Sequence, residues 1–318
     1  MRKMMMLISF ISVVTLLFSC QNQQGSNYTF PTGGTSGVLY SIGAAFSQTM
    51  NESDVPINLT NQVSGGAIEN IRLMDKKEAD FSLFGGDVAL EAYEGKGMFK
   101  GNPQKDSLRS VFTIYSQPLG IVALESSDIQ SIDDLKGKKI AVGTPGSGNE
   151  VRTKQVLNAL DLYYDKDFKP QFLSISESVD GLKDGQLDAI FVWTGLPTPG
   201  IMDLANIRDI KMIPLTNDEV NTIYSAYPSL YPFEIPAKTY KGVDNNIQTI
   251  SVDVSLFVNK DVPEDDVYQL TKTVFDHLDN LQGTVSTLRQ LNKETAAKTL
   301  IELHPGAKKY FQEANIID

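Results

Sequence analysis

An α/β fold is what this sequence predicts, on three observations. Short apolar runs alternate with amphipathic helical patterns, two Gly-rich loops each join a strand to a helix, and the composition is that of an ordinary globular chain. Its 318 residues are 41% hydrophobic and 21% charged, which suits about two domains at ~100–200 residues each. Against 28 Lys and Arg stand 39 Asp and Glu, a formal charge of −11. With no basic cluster to meet phosphates, nucleic acid is not an expected partner. The one cysteine, Cys20, and two distant histidines, His277 and His304, leave no internal disulfide and no expected metal site, and no cofactor is expected.

Taken in order, the chain opens with Arg2 and Lys3, an apolar run over 4–18, and then Ser19 and Cys20. As a helix that run spans only ~22 Å, short of the ~30 Å hydrocarbon core of a bilayer. It reads as an export signal over 1–19. Leu17-Phe18-Ser19-Cys20 resembles the bacterial lipobox, which implies acylation of Cys20, a palmitate-type membrane anchor and an extracytoplasmic lipoprotein. Residues 20–27 are polar without apolar periodicity and read as a tether. Strands are expected at 80–84, 111–115, 120–124, 139–143, 171–175, 188–192 and 252–258, in a mostly parallel sheet. Amphipathic helices are expected at 39–50 (Leu39, Ile42, Phe46 and Met50 on one stripe), 67–77 and 149–160, with helices again from Glu264 onward, after Pro263. Residues 227–240 carry Pro228, Pro232 and Pro236 and read as an extended crossing segment.

Two junctions carry the chemistry. Residues 30–40 read FPTGGTSGVLY and residues 141–150 read AVGTPGSGNE: each is a strand end, a Gly/Ser loop and a helix start. Glycines admit a close ligand, and a helix N-terminus offers unpaired N–H groups with about half a positive charge, so each loop suits a carboxylate or phosphate. Neither loop ends in the Gly-Lys-Ser/Thr of Walker A. Gly143, Gly146 and Gly148 do not space as G-x-G-x-x-G, and Ser147 lacks the G-x-S-x-G elbow. With both histidines outside the loops, a Ser-His-Asp triad is not expected. The second loop has the better anion geometry, since Ser147 and Asn149 can donate beside the helix N-terminus.

Five motifs in order resemble the TAXI-type solute-binding proteins of TRAP transporters. Thr32-Gly33-Gly34-Thr35-Ser36-Gly37 with Tyr40 is similar to the family's T-G-G-T-G-G-x-Y-Y opening. The run from Asp87-Val88-Ala89 to Gly97, and Leu135-Lys136-Gly137-Lys138 leading into Gly143-Thr144-Pro145-Gly146-Ser147-Gly148, resemble its next segments. Asp184-Gly185-Gln186-Leu187-Asp188-Ala189 with Gly195-Leu196-Pro197-Thr198-Pro199, and Leu303-His304-Pro305-Gly306-Ala307, match the remainder. The resemblance implies a two-lobed periplasmic-binding-protein fold (type II, Venus-flytrap) with a ligand cleft between lobes and no chemistry on the ligand. Lobe I would be 28–115 plus 226–318, and lobe II 116–225, with crossings near 115–119 and 213–227.

It also implies a receptor that hands a small organic anion, a dicarboxylate or an amino acid such as glutamate, to a TRAP-type permease. Implied ligand-binding residues are Thr32, Gly33, Gly34, Thr35, Ser36, Tyr40, Asp87, Tyr115, Thr144, Gly146, Ser147, Gly148, Asn149, Trp193 and Thr194. Asp87 could meet a ligand amine or cap the next helix; Trp193 could line the pocket or pack in the second lobe. Where the family often has Gln-Ser, this chain has Gly85-Gly86, which predicts a wider pocket. Alternatives of another class are an extracytoplasmic enzyme of similar two-lobed fold, or a binding protein serving a different permease or a sensor.

Overall fold

The computed structural model describes residues 25–35 and 37–318. The expected signal segment 1–19, Cys20, the expected tether as far as residue 24, and Ser36 lie outside the described residues. The first element among the described residues is β1 (Ser26–Gly33), so the last two expected tether residues are already strand. They are held because β1 pairs in parallel with β2 (Ile57–Val63) and the Ser26 hydroxyl donates to Asp266 at 2.8 Å. Between them lies α1 (Val38–Glu52), whose buried stripe of Ile42, Phe46 and Met50 is the predicted one. Next come α2 (Ala67–Asp75), β3 (Phe81–Gly85) and α3 (Gly86–Glu94).

The predicted strands at 111–115 and 120–124 are one strand, β4 (Leu108–Leu124). Pro118, the natural place for a break, sits where the pairing passes from β10 (Ile247–Asn259) to β7 (Ala189–Trp193). Its missing N–H therefore falls at a change of partner and takes little from either ladder. The first part of β4 pairs antiparallel with β10, which also pairs antiparallel with β3; the last part pairs antiparallel with β7 and with β8 (Ile210–Met212). Beyond β7 lie β5 (Lys139–Ala141) and β6 (Lys169–Gln171), both parallel. The sheet is therefore mixed rather than mostly parallel: alternation of strands and helices reports burial on both faces, not strand direction.

Cores form on both sides of these strands with the period of two that a pleat imposes. Ile121, Ile140, Phe191 and Trp193 point into one cluster, while Val122, Ala141, Ile190 and Val192 point into another. Around β1–β3 a separate cluster gathers Phe30, Phe46, Phe81 and Phe112 with helices α8 (Glu264–Asp276) and α11 (Pro305–Glu313).

The expected return at 213–227 is corrected. Leu215, Val220, Ile223 and Leu230 pack with Ile250 and Val252 in the cluster of the second half. Residues 231–235, expected to be irregular, form β9 (Tyr231–Ile235) on the 247–251 part of β10. The three prolines misled because Pro232 is exposed on an edge strand, where a missing donor is tolerated. The chain passes back toward the first core within β10 itself.

Candidate functional site

Strand ends from both halves meet helix starts around a cavity of about 360 Å³. The helices facing it are α1, α2, α3, α4 (Gly148–Ala159) and α5 (Ile175–Lys183). All five of their N-cap residues, Gly37, Gly66, Gly85, Ser147 and Ser174, line it. Each N-terminus presents backbone N–H groups and a partial positive charge, so the cavity is biased toward anions before any side chain is counted. Its walls are largely apolar, with Leu39, Phe84, Leu173, Ile175 and Trp193 prominent, and among the described residues that line it Arg152 is the one with a formal charge.

Of the residues implied by the sequence, Thr32, Gly33, Gly34, Tyr115, Thr144, Ser147, Gly148, Asn149, Trp193 and Thr194 line this cavity. Thr35, Tyr40, Asp87 and Gly146 are not among its lining, and Ser36 lies outside the described residues. Asp87 neither caps α3 nor stands open to a ligand amine. Both of its carboxylate oxygens accept from Arg152, Nε at 2.7 Å and Nη2 at 2.8 Å, in a pair that is 4% and 3% exposed. Arg152 Nη1 also donates to Gln117 on β4 at 3.1 Å, and the guanidinium carbon lies 5.7 Å from the Trp193 ring centroid. Trp193 thus does both things open to it: it is buried in the second core and forms a cavity wall, its indole N–H reaching Thr153 at 3.3 Å.

Gly85 does not widen the pocket as expected. A side chain there would meet Arg152 Nη2 at 1.7 Å, so the guanidinium occupies the volume that the missing side chain leaves. Gly148 stands one helical turn before Arg152, where a Cβ would make a tight contact of 3.1 Å with Nη1 rather than an overlap.

Asn149, expected to donate to ligand, is committed to the framework. Its amide donates to the carbonyls of Val142 (2.8 Å) and Phe191 (3.1 Å), and its Oδ1 accepts from the Trp193 N–H at 2.8 Å. This requires the loop to turn back at Gly143, where φ is +102° and a Cβ would lie 2.6 Å from the Asn149 amide. Ser147 accepts from the Glu150 N–H at 3.2 Å as the α4 cap, which leaves its hydroxyl hydrogen for another partner. The Tyr115 hydroxyl is buried without a partner among the described residues, and burial raises its pKa well above the usual phenol value, with Arg152 partly opposing.

Sequence reasoning missed Arg152, Gln117 and the loops at 64–67 and 173–175. The available signal was Gly85 and Gly148: two absent side chains that only a third residue's position explains.

The NMT1-like family profile matches residues 30–314. Among solved structures, a Bordetella bronchiseptica RB50 protein aligns over 94% of this chain and 91% of its own, with TM-score 0.52 and 14% identity. A Streptococcus mutans structure, from work on glutathione import via GshT and the cystine ABC importer TcyBC, covers 83% of this chain and 93% of its own (TM-score 0.51, 16% identity). A chloride-bound Xanthomonas citri protein covers 91% and 96% (TM-score 0.51, 9% identity). At these identities the likeness is one of fold, and the fold is that of the periplasmic binding proteins.

Proposed function

This chain belongs to the NMT1-like family, and from that premise we propose that it is an extracytoplasmic receptor for a small organic anion. The observation that carries the reading is the convergence of five helix N-termini on one largely apolar cavity that no Asp or Glu lines among the described residues. A volume of about 360 Å³ suits a small-molecule ligand. The ligand sits between two lobes joined by the long strands β4 and β10, and it is released unchanged to a membrane permease.

The TAXI-type motifs make that permease a TRAP-type one; an ABC-type partner is the second reading, favoured by the cystine ABC importer that accompanies the Streptococcus mutans fold neighbour. Anchoring is through lipid on Cys20. An enzyme reading has less support, because the lining hydroxyls have no histidine beside them: His304 caps α11, and His277 stands where α8 ends.

The test is native mass spectrometry of the purified protein for a co-purified anion, then calorimetry with that compound after it is stripped. Recovery of the compound unchanged after incubation is expected. Its conversion into a product would overturn the receptor reading in favour of an enzyme.

A further inference from the structure

The charges around the cavity count to a definite sum. Arg152 is matched one for one by Asp87. Three of the five helix N-termini carry an acid of their own in the first turn: Glu69 on α2, Glu150 on α4 and Glu177 on α5. α1 has none, and the one on α3, Asp87, is already spent on Arg152. What remains uncompensated is these two N-termini at about half a charge each, of the order of one charge.

The donors follow the same count. Arg152 spends three of its five N–H groups on Asp87 and Gln117. Its other N–H groups, the Ser147 hydroxyl hydrogen and the buried, unpartnered Tyr115 hydroxyl are enough for one oxyanion head. The other lining side chains, Leu39, Leu173 and Ile175 among them, carry no formal charge to meet a second one. A second carboxylate would be desolvated against them without a counter-charge, and an ammonium would find no carboxylate in the lining.

Resting on the receptor reading above, we propose that the cavity selects a monoanion with an apolar body, one carboxylate- or sulfonate-type head at Arg152, and that Asp87 enforces this by neutralising the arginine. Dicarboxylates and amino acids are thereby rejected.

The experiment is calorimetry of the purified, ligand-stripped protein with octanoate, octane-1-sulfonate, octanedioate and 2-aminooctanoate. Octanoate or octane-1-sulfonate binds at least about tenfold more tightly than the other two, because the rejected charge is unpaired. Arg152→Gln removes that binding. Asp87→Asn frees the guanidinium charge, so octanedioate gains about tenfold relative to octanoate, a gain that misfolding cannot imitate. Octanedioate or 2-aminooctanoate binding as tightly as octanoate, or none of the four binding at millimolar concentration, overturns the proposal. A co-purified dianion or zwitterion would then leave the receptor reading standing, whereas conversion of a bound compound would remove that reading by itself.

Discussion

Asn149 shows how much one side chain can carry at the residue scale. Its amide ties the start of α4 to the ends of β5 and β7 through three hydrogen bonds. Asn149→Ala leaves two carbonyls and one N–H without partners in a part-buried place, which costs about 2–3 kcal/mol. Urea unfolding measures it, and a loss below about 0.5 kcal/mol would show that water replaces the bonds. Ser147 has two roles that substitution can separate. Ser147→Ala loses the cap of α4, about 1 kcal/mol, whereas Ser147→Gly loses only a few tenths. Both lose the hydroxyl hydrogen that faces the cavity, so both weaken anion binding by roughly 10-fold while only the first lowers the melting temperature appreciably. Equal binding by the parent and Ser147→Gly would assign the head group to other donors. Tyr40, outside the lining, is expected to tolerate conversion to phenylalanine without change in binding.

At the scale of the element, caps decide where helices begin and under what conditions they hold. α11 starts at His304, whose Nδ1 accepts from the Gly306 N–H at 3.2 Å while Nε2 contacts the Lys260 carbonyl at 3.3 Å. Burial lowers the His304 pKa below its usual value, and the carbonyls of Lys260 and Val262 oppose this only in part. The folded state therefore favours the neutral ring. Its contribution is full above the unfolded pKa near 6.5 and is lost as pH falls below it. A steeper drop in melting temperature between pH 7 and pH 5 is expected for the parent than for His304→Asn, which keeps an acceptor at the cap but does not titrate. Parallel profiles would mean that the ring is protonated without penalty. Other elements follow the capping-box rule directly: Ser174 with Glu177 opens α5, and Thr216 with Glu219 opens the helix Asn217–Ala226.

For the whole molecule the question is how the halves are joined and held. β4 and β10 run through both, with two register shifts where they pair. Beside that crossing the Tyr231 hydroxyl bridges Asp253 (2.6 Å) and Ser116 (2.7 Å). Beside the cavity, α3 and α4 meet through the Asp87–Arg152 pair and through Gln155, which donates to Glu91 at 2.6 Å. In the proposed two-lobed receptor these α3–α4 contacts exist only in the closed form, so they bias the open–closed equilibrium. Gln155→Ala removes one of them at a partly exposed position. Small-angle scattering of the unliganded variant should give a larger radius of gyration than the parent, with the difference abolished by saturating ligand. Identical radii in all four samples would rule out closure about β4 and β10.

The sequence by itself determined the α/β class, the cores of α1, α2, α4, β3 and β5, and the two Gly-rich junctions, while β2 and α3 went unread. These are local: apolar periodicity, glycine where a turn demands it, and the start of a helix are each written in a few adjacent residues. Most of the residues it nominated at those junctions do line the cavity, because a loop between a strand end and a helix start has few places to go. Tertiary structure alone decided the rest. That β4 is one strand, that 226–250 packs with the second half, and that Asp87 faces Arg152 rather than a ligand all depend on segments far apart in sequence. Arg152 is the clearest case. Nothing near it marks it as a site residue; it becomes one because Gly85, 67 positions earlier, leaves a volume that a guanidinium fills, and because Asp87 supplies the charge that lets it be buried there.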